Sequence, residues 1–347
     1  MMLQSFQLIV KQNIEVNETI ADIHPVKNKE NTFLILTGNR RVLELNSRSG
    51  ACIELFRIDD EAILFDQQVS VLASERAELV AVFNTYGRNG IIIESRTQTV
   101  VMQFNRDDYH FEQTIFPIAF VPRGDQTLLI HGTKWNRLDI TNPITGEVLT
   151  NRSDPTFQMI DYEPVSSEHY LDYFRGQLLV SPDNRWIVDN GWEWHPVGCV
   201  TGWNIPQWLE NEWESEDGVS KKELWGLKED WNDPMCWISR NEIGLVGRHN
   251  SDMLEEDEPY DARFHFRRVN VETGAIAIEF PISRGHLIYD DYLFVSSQEI
   301  GFQVYNLQTG ELQFENREIS IDNYHHKSKE FIRCDNDKIV IYQLITG

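Results

Sequence analysis

Short apolar runs separated by polar turns recur along the whole chain, and in five places two such runs are joined through a turn of a few residues. These pairs lie at Val42–Phe56, Ile91–Phe104, Asn136–Thr150, Phe266–Phe280 and Phe302–Glu315. The alternation predicts half-buried strands, and the short turns predict hairpins. Four of the turns end in glycine, at Gly50, Gly146, Gly274 and Gly310, where the closing residue of a hairpin loop commonly needs positive φ. A hairpin that returns every ~40–50 residues marks a radial β repeat. The expected fold class is therefore all-β, a β-propeller of about seven four-stranded blades.

Taking each hairpin as the third and fourth strands of a blade places units at Ile20–Phe56, Gln68–Phe104 and Phe116–Thr150, then from Gly176, Met235 and His286. The last stretch, Glu330–Leu344, has room for only two or three strands. An unfinished blade would expose unpaired backbone groups along its edge. The apolar segment Ser5–Val10 is the expected donor of the missing strand, so that residues 1–347 form a single propeller domain closed by the N-terminal strand. Insertions are expected near 189–234 and 248–262.

Within the fourth unit, Ser181-Pro182-Asp183-Asn184-Arg185-Trp186 resembles the turn between the first two strands of a WD-repeat blade. Gly285-His286 opens the sixth unit, and the pairs Trp203-Asn204 and Tyr305-Asn306 stand nearest to the Trp-Asp of that repeat. The chain thus resembles WD-repeat propellers in its blade pattern. Its fourth-unit insertion resembles those of bacterial propeller proteins with no assigned activity. What the resemblance implies is a fold, and no activity comes with it.

Composition narrows the function classes. Hydrophobic residues make up 41% and charged residues 25%, as in a soluble globular protein, and no run approaches the ~18 apolar residues of a membrane helix. The N-terminus lacks basic residues before its apolar run and reads as a strand, not a signal peptide. Cys52, Cys199, Cys236 and Cys334 are widely spaced and read as reduced core residues of a cytoplasmic protein. A net charge of -24 repels phosphate backbones and anionic lipid, which argues against nucleic acid or membrane and suits a basic protein partner.

Nine of the ten tryptophans fall between Trp186 and Trp237. In strand geometry Trp192 and Trp194 share one face while Glu193 and His195 share the other. Such rings either pack between blades or form a recognition platform. The candidate partner-binding residues are Trp192, Trp194, His195, Trp203, Trp208, Trp213, Glu214 and Asp217, with the acidic run from Glu210 to Asp217 as a charged rim. A second acidic run, Asp252 to Asp261, lacks the spacing of a calcium loop and reads as solvated.

The histidines show no His-x-x-x-His pair, and no nucleophile elbow, phosphate loop or dinucleotide fingerprint occurs, so no catalytic residue, metal or cofactor is expected. The functional expectation is a non-enzymatic scaffold or adaptor. Propeller hydrolases and lyases use dispersed carboxylates and histidines in a central funnel, which leave no motif, and such an enzyme is the principal alternative. A bacterial conflict-system immunity or sensor component is the third.

Overall fold

The computed structural model describes residues 6–154, 158–160, 163–165, 168–194, 196–251 and 261–347. It is all-β, with the blades of a seven-bladed β-propeller. Six blades are four-stranded antiparallel sheets among the described residues. The third has Ile118–Arg123, Gln126–Lys134 and Arg137–Thr141, and its fourth position is marked by the bridge between Thr141 and Val148. By contact the chain forms two compact units, Met1–Phe104 with Ser283–Gly347, and Asn105–Ile282.

Each blade is buried most deeply in its middle. Thr32–Thr37 and Leu79–Asn84 are buried at every position, whereas the fourth strand Ala51–Arg57 is largely exposed. A strand covered on both faces needs a continuous apolar run, which Thr32-Phe-Leu-Ile-Leu-Thr37 supplies. The core therefore sits between consecutive blades. Leu34, Leu36 and Val42 of the first pack with Val71, Val80 and Ile91 of the second. Cys52 departs from expectation: it lies on the outer strand of the first blade and is exposed, while Cys199 and Cys236 are buried.

The repeated turns share one chemistry. The amide of Gly50, Gly146, Gly274 or Gly310 donates to the carbonyl of Asn46, Asn142, Asn270 or Asn306 at 2.8–2.9 Å. The same asparagines accept loop amides on their side-chain oxygens. All four glycines have φ of 72–75°, so the pattern Asn-x-x-Ser/Thr-Gly encodes the turn directly. The Ser181–Trp186 turn follows the same logic, with Ser181 Oγ accepting from the Trp186 amide at 2.9 Å.

The N-terminal strand Phe6–Glu15 pairs antiparallel with Lys338–Thr346 and completes the seventh blade. A register shift between Val10 and Gln12 accompanies an ion pair between Lys11 and the fully buried Glu330. Glu330 Oε2 also accepts from Ser47 Oγ of the first blade at 2.6 Å. Nearby His325 is 1% exposed, and its Nε2 lies 2.8 Å from the Lys29 carbonyl oxygen.

His131 in the third blade is also interior, at 4% exposure, with Nε2 3.1 Å from Thr141 Oγ1. Burial pulls its pKa down from 6.5 to about 4, against the opposing pull of Asp139. The unfolded chain therefore takes up a proton that the folded chain refuses, so this contribution to stability is present above pH 6.5 and is lost as pH falls toward 4. Between pH 7 and pH 5 the loss from His131 should be about 2 kcal/mol. Denaturant titrations of His131→Gln should show a decline over that interval smaller by about this amount. Equal declines in variant and wild type would mean that the fold leaves this imidazole free to protonate.

Candidate functional site: an aromatic face and a pocket on the fourth blade

The fourth blade consists of Tyr173–Val180, Trp186–Glu193, Val197–Asn204 and Lys222–Lys228. The segment 189–234 thus contains the end of the second strand of this blade and all of the third and fourth. The excursion from the blade is shorter, running from Ile205 to Lys221 with two four-residue helices, Ile205–Trp208 and Glu214–Asp217. At Gly191 a Cβ would stand 2.1 Å from the Phe174 carbonyl oxygen, so the strand needs glycine for close backbone approach.

Burial sorts the tryptophans into two sets. Trp203 and Trp208 are wholly buried and pack edge to face at 5.5 Å against the third and fourth blades. These two, expected at a partner surface, are core residues that seat the excursion. Glu214 is likewise interior at 1% exposure and staples the loop, accepting from the Ser220 amide at 2.7 Å and from Asn211 Nδ2 at 3.0 Å. Glu216, placed with the rim, is buried against Arg152. His195 and the acidic run Asp252–Tyr260 lie outside the described residues.

Trp192 and Trp194 belong to the other set, and partners from distant segments join them. Trp231, Trp192 and Phe174 form a continuous stack, with centroids 5.3 Å and 4.0 Å apart and interplanar angles of 26° and 10°. Phe174 continues to Trp135 at 4.4 Å and to Tyr109 at 5.6 Å. Trp194 stands edge-on to Trp192, Phe174 and His110 at 5.2–5.5 Å. Trp192 and Phe174 are buried, whereas Trp194 is 41% and Tyr109 43% exposed.

The supports of these rings are themselves fixed. Arg106, 2% exposed, donates to the Phe111 and Thr114 carbonyls at 2.6 and 2.9 Å and so holds the segment that carries Tyr109 and His110. Asp107 Oδ1 accepts from the Trp135 amide at 3.0 Å, and Trp231 Nε1 donates to the Gln113 carbonyl at 2.7 Å. Acids stand near the exposed rings in sequence: Asp108 precedes Tyr109, Glu112 follows His110 by two residues and Asp172 precedes Phe174 by two, and all three are exposed. Glu193 is half-buried on the strand face opposite Trp192 and Trp194, where burial and then the charge of Glu223, with a smaller push from Asp172, raise its pKa against the pull of Lys221.

Trp213 lines a pocket of about 320 Å³ in the same unit, with Lys134, Arg137, Asp154, His169 and Trp135, the last shared with the aromatic stack. His169 lies flat on Trp213 at 4.3 Å and 13°, and its Nδ1 lies 2.8 Å from Asp217. Beneath the pocket, Asp139 bonds Arg137 at 2.8 Å and Arg152 at 2.9 Å. Sequence reasoning missed Tyr109, His110, Trp135, Phe174 and His169; only the solitary Trp135, outside the tryptophan-rich stretch, offered a signal.

Among the described residues no group of three or more His, Cys, Asp or Glu side chains is arranged to hold a metal ion. No helix among them is long and apolar enough to cross a membrane. No protein-family model matches the chain, and no curated protein matches it. The functional reading therefore rests on the geometry.

Proposed function

We propose that the chain is a non-enzymatic protein-interaction module, WD-repeat-like in its blades and acting in the cytoplasm, which holds a basic protein partner on the face around Trp194 and Tyr109. The observation that carries this reading is the pair of exposed rings standing on a stack of buried ones. Aromatic anchors dominate binding energy where they are rigid and central, because little rotamer entropy is lost when the partner arrives. Packing alone does not call for both outermost rings to stay exposed beside fully buried supports.

Charge supports the partner's sign. The exposed acids Asp108, Glu112 and Asp172 stand near the rings in place of the rim expected on the Glu210–Asp217 run, two members of which are interior. Such a border speeds encounter with a basic surface more than it tightens the complex. The partner is to be found by affinity capture from the native host with wild-type and Trp194→Ala baits in parallel. For the protein retained by wild type alone, Trp194→Ala or Tyr109→Ala should weaken binding by about 2 kcal/mol, roughly thirtyfold, with folding unchanged. Asp172→Asn should mainly slow association. Full-strength binding by both aromatic variants would place the interface elsewhere.

A further inference from the structure

The pocket beside Trp213 has features that partner docking on the Trp194 face leaves unused. Its volume of about 320 Å³ suits a body of one aromatic ring with a substituent, since ~150 Å³ already admits benzene. The walls include the indoles of Trp135 and Trp213 and the imidazole of His169. Three cationic groups stand beside them, and their hydrogen bonds show which is committed to structure and which are available.

Both terminal nitrogens of Arg152 are spent on structure. Its guanidinium is 2% exposed and donates to Asp139, Glu216 and the carbonyls of Thr150 and Leu138. Arg137 donates through Nε and Nη2 to Asp139 at 2.8 and 3.1 Å, and through Nη1 to Asp154 and the Arg152 carbonyl. One N–H of its Nη2 remains unspent. Lys134 is 44% exposed and makes one bond, to Asp154 Oδ2 at 2.5 Å, so that two of its N–H groups are unspent. The counter-ion shared by these two cations, Asp154, is half in solvent. An incoming anion therefore meets ready donors and a carboxylate free to swing aside.

We infer that this pocket binds a small ligand made of a single aromatic or apolar body bearing one anionic group, with Lys134 and Arg137 taking the anion and Trp135, Trp213 and His169 enclosing the body. A carboxylate and a phosphate present the same acceptor chemistry to these donors. In a chain of net charge -24, cationic donors kept at a pocket mouth mark a place where an anion is accepted against the general field.

The test is calorimetric titration of the full chain with N-acetyl-phenylalanine, its uncharged amide, and phenyl phosphate. One or both anions should bind, at least tenfold more tightly than the amide, and whichever binds more tightly identifies carboxylate or phosphate as the natural group. Lys134→Met, a change at an exposed side chain, should weaken that binding roughly tenfold or more, as expected for loss of a charged hydrogen bond. Trp194→Ala, on the partner face, should leave it unchanged. Failure of both anions to bind at millimolar concentration, equal binding of the amide, or full affinity in Lys134→Met would overturn the assignment.

Discussion

Removing residues 1–10 should destabilise the first unit by more than about 4 kcal/mol, in the range reached only when a structural element is lost. The truncation deletes the half of the N-terminal strand that pairs from Phe6↔Thr346 to Val10↔Tyr342. It bares that edge of Lys338–Thr346 and removes Phe6, which meets Tyr292 edge to face at 5.2 Å and Phe314 at 6.2 Å. Leu8 leaves the same apolar cluster, which is built on Phe294, Phe302 and Phe331. At ~2–4 °C per kcal/mol for chains of this order of size, the melting temperature should fall by roughly 10 °C or more, and the exposed edge should promote aggregation. An unchanged melting temperature would show that the seventh blade stands on three strands.

Arg175→Ala should cost about 3–5 kcal/mol, the usual penalty for stranding one member of a buried ion pair. Arg175 is wholly buried and reaches Asp189 Oδ2 at 3.3 Å, the Ser215 carbonyl at 2.9 Å and the Asn136 carbonyl at 3.3 Å. It therefore ties the third blade, the fourth blade and the excursion to one guanidinium, which also lies 5.2 Å from the centroids of Tyr173 and Trp203. Burial raises the Asp189 pKa to about 6 even though Arg175 pulls it down. A carboxyl raised in this way adds stability below its ordinary value of 3.8 and loses it as pH climbs through 6. Without Arg175 that penalty grows, so the variant's deficit against wild type should be larger at pH 8 than at pH 5.

The double variant Arg175→Met with Asp189→Asn separates charge from packing. Replacing both charges by neutral groups of similar volume should recover most of the deficit, because nothing charged is then left unpaired. A double variant as unstable as Arg175→Ala would instead assign the loss to the guanidinium's contacts with Tyr173, Trp203 and the two carbonyls.

Blade number and closure were legible because they follow from local chemistry. The Asn-x-x-Ser/Thr-Gly turns announce themselves in residue types, and a short final blade calls for a strand that the apolar N-terminus can supply. The fourth blade was harder to divide. Gly191 sits inside a strand because the Phe174 carbonyl leaves no room for a Cβ, and that demand comes from a neighbouring strand that the local sequence does not reveal.

The candidate site was legible only in part, for a related reason. Tryptophan density pointed to the fourth blade, yet Trp203 and Trp208 are core while Trp194 is exposed, and side-chain type alone does not separate these fates. The residues grouped here, Tyr109, Trp135, Phe174 and Trp231, lie up to about 120 residues apart and converge through strand pairing and buried bonds such as Arg106 to Thr114. Side-chain type likewise does not show that Glu214 and Glu216, expected in an acidic rim, turn inward to Ser220 and Arg152.

The most direct test of the central claim is oxidative footprinting of the captured complex, read residue by residue against the free protein. The account predicts that modification of Trp194 and Tyr109 falls severalfold on partner binding while the exposed Tyr86, on the second blade, is modified as before. Unaltered modification of Trp194 and Tyr109 in a saturated complex would contradict it.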